Sequence, residues 1–156
     1  MNTVLIQVLN GASIVATAVV FGPDAFFALV VKKAAAKSKD SSIADLTAHF
    51  HEVADVRMPF VGITAMLTTL MQVVAVGVQT IHGQVAVVAL AALLAHLAIY
   101  FTISKPVNNI MVEGLKFGRI VNNIRQLQQR WDKVIALRAL LLTVAILGLI
   151  IINYLK

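Results

Sequence analysis

Four apolar runs alternate with polar segments along this chain, and each is long enough to cross a bilayer as a helix. The last, residues 134–154, carries a single charge, Arg138, about one helical turn inside the run. An arginine at that depth costs roughly 2.5–3.5 kcal/mol unless it snorkels to the headgroups or meets a partner. The first run, 4–31, contains Gly11, Gly22, Pro23 and Asp24 and lacks the positive start of a signal peptide. It reads as a retained helix, bent or restarted at Pro23 because proline cannot donate its backbone bond. The second run, 58–79, carries a polar stripe of Thr64, Thr68, Thr69 and Gln72 suited to interhelical hydrogen bonds. The third, 85–103, is rich in Ala and Leu and holds His96. A short connection, IHGQ at 81–84, makes the second and third runs antiparallel neighbours.

The two long polar segments have helical periodicity of their own. In 32–57, Ser41 or Ser42 can cap a helix whose Ile43, Leu46, Phe50 and Val53 recur at spacings of three and four. In 104–133, Ile110, Leu115, Ile120, Ile124 and Leu127 form a looser stripe after Pro106. Both are expected to lie at the membrane interface. The predicted fold is therefore all-α: one integral membrane domain over 1–156, a four-transmembrane-helix bundle with short interfacial amphipathic helices, its spans at about 4–31, 58–79, 85–103 and 134–154.

Composition agrees, with 60% hydrophobic residues, 13% charged residues and a mean hydropathy of +0.89. The absence of cysteine excludes a thiol nucleophile, a disulfide framework and a thiolate metal site. The net charge of +6 would suggest nucleic acid in a soluble chain, but here the cations flank apolar runs and instead set orientation. Lys32, Lys33, Lys37, Lys39 and Arg57 lie in the first polar segment, and Lys105, Lys116, Arg119, Arg125, Arg130 and Lys133 in the last, with none at 81–84. By the positive-inside rule, segments 32–57 and 104–133 are cytoplasmic and both termini lie outside, as expected for a bacterial inner-membrane protein.

That topology brings three ionisable groups to one layer. Asp24 and His96 each lie about 10 Å from the cytoplasmic end of their runs, and Arg138 about 6 Å, with a longer side chain to extend. Intramembrane ionisable residues tend to face inward and pair, so this cluster is the candidate site; its plainer role is an Asp24–Arg138 ion pair that fixes helix register. Asn108 and Asn109 would sit at the mouth of such a pocket, or cap the turn around Pro106. Gln72 joins the groups expected to meet a bound molecule. Trp131, beside Arg130 and Lys133, fits either an interfacial anchor or a stacking wall. His51 and Asp55 share a helical face, but no metal-site spacing accompanies His49 or His51, and no metal is expected. His96 cannot form a bis-histidine haem site, since no other run contains histidine, and no cofactor is assigned. The chain has no phosphate-binding glycine loop and no nucleophile elbow. The expected partners are the membrane, a hydrophobic small molecule or lipid, and a second copy or larger complex packed on the Ala-rich faces.

Two segments, FTISKPVNNIMVEGL at 101–115 and RWDKVIALRALLL at 130–142, together with the four-run layout, resemble the anthrone oxygenase-like family of small four-span membrane proteins. The resemblance rests on Thr102, Pro106, Asn108, Asn109, Trp131 and Arg138, with the glycine-containing end of the first run at 21–27. It implies oxidation of an anthrone to an anthraquinone without metal or flavin. His96 or Asp24 would be the base, and Arg138, Asn108 or Asn109 would stabilise the enolate oxygen. One departure stands out: members of the family often carry a histidine between the tryptophan and the arginine, where this chain has Ile135.

Overall fold

The computed structural model describes residues 3–119 and 121–155. Helix α1 (Thr3–Phe26) passes through a π-helical turn (Phe27–Val31) into α2 (Lys32–Lys37). Helix α3 (Asp40–Val76) is continuous. Helix α4 (Ile81–Ile99) passes through a second π-helical turn (Tyr100–Ser104) into α5 (Lys105–Lys116), and α6 (Ile124–Ile151) ends in a 3-10 turn (Ile152–Tyr154). The result is four rods, Val4–Lys37, Asp40–Val76, Ile81–Lys116 and Ile124–Tyr154, all long and apolar enough to cross a membrane.

The rods pack as a closed ring: α1 against α3 and α6, and α4 against α3 and α6. Helices α1 and α4 therefore face each other diagonally across the centre. The outer face of the rods is apolar, unlike that of a soluble bundle, and several polar side chains lie within. Val8, Val15 and Val19 on α1, Phe60, Leu67 and Val74 on α3, and Leu140 and Leu147 on α6 point outward. Asn10, Ser13, Thr17, Asp24, Thr69, Gln72, His96 and Arg138 are buried. A lipid environment accepts that arrangement, because apolar side chains have nothing to lose by facing hydrocarbon and polar ones must find partners inside. Small residues set the close packing in one half, where Ala16, Ala65, Ala86, Ala89 and Ala145 meet Leu93, Leu142 and Leu149. A second apolar cluster, built on Phe27, Val107, Met111, Leu127, Trp131 and Ile135, fills the other half.

Several expected features take a different form. The two amphipathic segments are helical, but they continue the long rods. Helix α3 runs straight through Pro59, and α1 likewise contains Pro23 without restarting. The bundle thus extends well past the apolar runs at its lysine- and arginine-rich end. IHGQ is not the connection between the second and third rods but the first turn of α4. The chain reverses over 77–80, where Gly77 takes a positive φ of 79° and Thr80 caps α4 by accepting from the Gly83 amide at 3.0 Å. The stripe chosen in the first polar segment is largely outside: Ile43 is buried, while Leu46, Phe50 and Val53 are exposed and Thr47, Ala48 and His51 face in. In α5 the buried face is Val107, Asn108, Met111 and Gly114, with Ile110 exposed; Ile120 lies outside the described residues.

Candidate functional site

The layer of ionisable groups predicted from depth is assembled at the centre of the ring, between the two apolar clusters. His96 Nε2 lies 2.9 Å from Asp24 Oδ2, joining the diagonal pair of helices. Arg138 Nη2 donates to Asp24 Oδ1 at 3.1 Å, and Arg138 Nη1 donates to Ser104 Oγ at 2.7 Å. Arg138 Nε also approaches His96 Nε2, at 3.3 Å. One ring nitrogen cannot donate to Asp24 and accept from Arg138 at once. The 2.9 Å contact is the stronger of the two, with Nε2–H donating to Asp24, and Nδ1 has no partner among the described residues. All three residues are buried. The guanidinium also lies 5.6 Å from the Tyr100 ring centre and 5.9 Å from that of Trp131, within cation–π range.

A second cluster sits toward the cation-rich end. Asp55, one turn before Pro59 on α3, accepts from Tyr100 Oη at 2.8 Å and from Asn108 Nδ2 at 3.1 and 3.2 Å. Both clusters line one cavity of about 880 Å³, large enough for a drug-sized molecule. Trp131 and Phe27 meet edge-on at 5.0 Å and form part of its wall, with His51 tilted against Trp131 at 5.6 Å. The remaining lining is mostly apolar and includes Leu93, Leu97, Phe101, Met58, Ile63 and Met66.

The unpaired polar atoms describe what would fit. Trp131 Nε1 and Asn108 Oδ1 are buried with no hydrogen-bond partner among the described residues. His51 makes no hydrogen bond within the described chain, and neither does His96 Nδ1. Buried polar groups are rarely left open unless water or a ligand completes them. All four residues belong to the wall of the same, otherwise apolar cavity.

Of the residues singled out from sequence, Asp24, His96, Arg138, Asn108 and Trp131 all line this cavity. Trp131 is buried in the bundle and is not an interfacial anchor. Asn109 is exposed and lies outside the lining, because one residue turns a helix by about 100° and Asn108 takes the inner face. Gln72 is buried at the opposite end of α3, in a separate cavity. Thr102 and Pro106 do not line the site either. Sequence reading missed Ser104, Tyr100 and Phe27. It also paired Asp55 only with His51, although Asp55 was the one carboxylate in its segment within a turn of the apolar run, the position from which it can reach across.

The fold and site together define a class: a four-helix membrane bundle with a buried carboxylate–imidazole–guanidinium cluster opening into an apolar cavity. No family profile, curated protein or solved structure matches the chain.

Proposed function

We propose that this chain is an integral membrane enzyme of the anthrone oxygenase-like type. In this reading it binds a hydrophobic aromatic ketone or phenol from the bilayer and promotes its oxidation by O2. The observation that carries the proposal is the Asp24–His96 contact within the large apolar cavity. A carboxylate holding Nε2–H leaves Nδ1 as the basic nitrogen, the same orienting role a carboxylate plays toward histidine in hydrolase triads. His96 removes a proton from the ring methylene, and the resulting enolate is electron-rich enough to pass an electron to O2 and combine with it. The hydroperoxide then loses water. Overall, a ring methylene and O2 give a ring ketone and water, so both oxygen atoms and all the electrons are accounted for.

In this reading Arg138, whose Nε, Nη1 and Nη2 contact His96, Ser104 and Asp24, holds the base in place and keeps a second N–H on each Nη for the substrate oxygen, with Trp131 Nε1 as a further unpaired donor in the wall. The departure at Ile135 does not remove the base, because His96 enters from another helix. The cations gathered at one end support an orientation with segments 32–57 and 104–133 in the cytoplasm of a bacterial cell.

The test is oxygen uptake and anthraquinone absorbance with anthrone supplied to the protein in lipid nanodiscs, against empty nanodiscs. One quinone per O2 is expected, with His96→Gln lowering the rate at least ~100-fold and Trp131→Phe mainly raising KM. Wild-type turnover no faster than empty nanodiscs would sink the enzyme reading. A second reading, a non-catalytic carrier of a lipid or hydrophobic molecule, is favoured by the exposed Leu46, Phe50, Val53 and Phe101 beside the cavity. It predicts a retained ligand without oxygen uptake.

A further inference from the structure

At the other end of the bundle, beside the start of α1, the 152–155 stretch and the 77–80 turn, a separate cavity of about 510 Å³ is lined by Gln7, Asn10, Gln72, Thr80, His82 and Asn153, with apolar contributions from neighbouring Ile, Val and Leu. Among the described residues no Asp, Glu, Lys or Arg lines it. Gln72 is fully buried, and neither Nε2 nor Oε1 of its amide has a hydrogen-bond partner. Asn10, also buried, spends its Nδ2 on the Leu149 carbonyl at 3.1 Å and Asn153 Oδ1 at 2.9 Å, which leaves its own Oδ1 open. A buried amide with both ends open is destabilising unless something fills the space, since buried polar groups are satisfied as a rule.

The open atoms are two acceptors, Gln72 Oε1 and Asn10 Oδ1, and one donor, Gln72 Nε2. A carboxylate or quinone only accepts and would leave both oxygens unmet, a phosphate meets no cation among the described lining residues, and an ammonium only donates and would leave Nε2 unmet. Two neighbouring hydroxyls supply two donors and the required acceptor. No charged side chain among the described residues lines the cavity, which agrees with a neutral molecule, and the volume far exceeds the roughly 30 Å³ that one water occupies. We infer that this end of the bundle holds a binding site for an uncharged vicinal diol, as found on a sugar or glycerol, free in solution or carried as a neutral glycolipid headgroup. The site is independent of the oxidation chemistry.

The test uses the full chain in phosphatidylcholine nanodiscs prepared without sugar detergents. Labelled methyl glucoside probes the free source, and nanodiscs doped with monoglucosyldiacylglycerol, read by native mass spectrometry, probe the lipid source. Saturable one-to-one binding in either arm is expected. Gln72→Leu should weaken it at least tenfold while leaving the unfolding midpoint unchanged or higher, because leucine removes the open amide; Gln72→Met serves if that variant folds poorly. His96→Gln should bind as the wild type does, which separates this result from failure of the oxidase reading. Binding in neither arm, undiminished binding to both Gln72 variants, or preference for acetamide over the diol would overturn the inference.

Discussion

At the scale of single residues, the cost of burying Arg138 is met by a specific set of atoms. Asp24 neutralises the charge, Ser104 takes a second N–H, and two aromatic faces flank the guanidinium. Removing one member of a buried pair leaves the other charge without compensation, at about 3–5 kcal/mol, whereas replacing both by apolar residues is often neutral. Arg138→Leu should therefore lower the unfolding midpoint in detergent sharply, and Asp24→Leu combined with Arg138→Leu should recover most of the loss. Recovery by the double variant, with oxidation abolished, would separate the structural role of the pair from its role in holding His96. A double variant as unstable as the single one would mean that the loss does not come from an uncompensated Asp24 charge. The sequence revealed this pair because charges in apolar runs are few and expensive. It hid Ser104 and Tyr100, which are ordinary residues in such runs and acquire meaning only from the partner across the bundle.

Among the elements, the two π-helical turns decide which face of each helical extension continues the inner face of its span. A turn closed by an i→i−5 bond, such as Lys105 N–H to the Tyr100 carbonyl, absorbs one residue more than an α-turn. In an uninterrupted α-helix Asn108 would lie twelve steps past His96, about 120° around the axis; with one residue absorbed the effective step is eleven, about 20°. The wide turn thus puts Asn108 on the same face as His96, and hence in the same cavity. The equivalent turn after Asp24, with Lys32 bonded back to Phe27, brings Phe27 and Ala35 to one buried side. The apolar stripe read after Pro106 starts at Ile110, which the structure exposes, because the inner face of α5 is fixed by the wide turn before it and not by apolar spacing alone. Spans and their order survive such a slip, because they depend on run length, while the faces of the extensions do not. Deleting the exposed Thr102 should convert the wide turn to an α-turn with α5 still in register, so that helicity and thermal stability are largely kept. Inserting an alanine after Met111, beyond the turn, should rotate 112–116 by about 100° and move Gly114 off its close approach to Val121. Circular dichroism and unfolding midpoints of the two variants check this, and equal destabilisation by both would contradict the register argument.

For the molecule as a whole, the asymmetry that matters runs along the bundle axis. One end carries Lys32, Lys33, Lys37, Lys39, Arg57, Lys105, Lys116, Arg119, Arg125, Arg130 and Lys133, tied in part by Arg125, which bonds Asp40 at 2.7 Å and links the 38–40 turn to α6. The 77–80 turn at the other end has no lysine or arginine. Cations resist crossing the bilayer and are favoured on the cytoplasmic face, so the bundle should insert with the large cavity nearer the cytoplasm and the amide-lined cavity nearer the outside. In that orientation the two cavities would sample different compartments, the first open to molecules dissolved in the membrane or made inside the cell, the second to neutral polar molecules from beyond it. Because the chain has no cysteine, single cysteines report this directly. With a membrane-impermeant maleimide on intact spheroplasts, Thr80→Cys and His82→Cys should label at once, while Ser41→Cys and Asn123→Cys should label only after lysis. Labelling of Ser41→Cys and Asn123→Cys before lysis would invert the bundle. The cation count would then have failed as a guide to insertion, and the oxidation site would have to draw its substrate from the outer side.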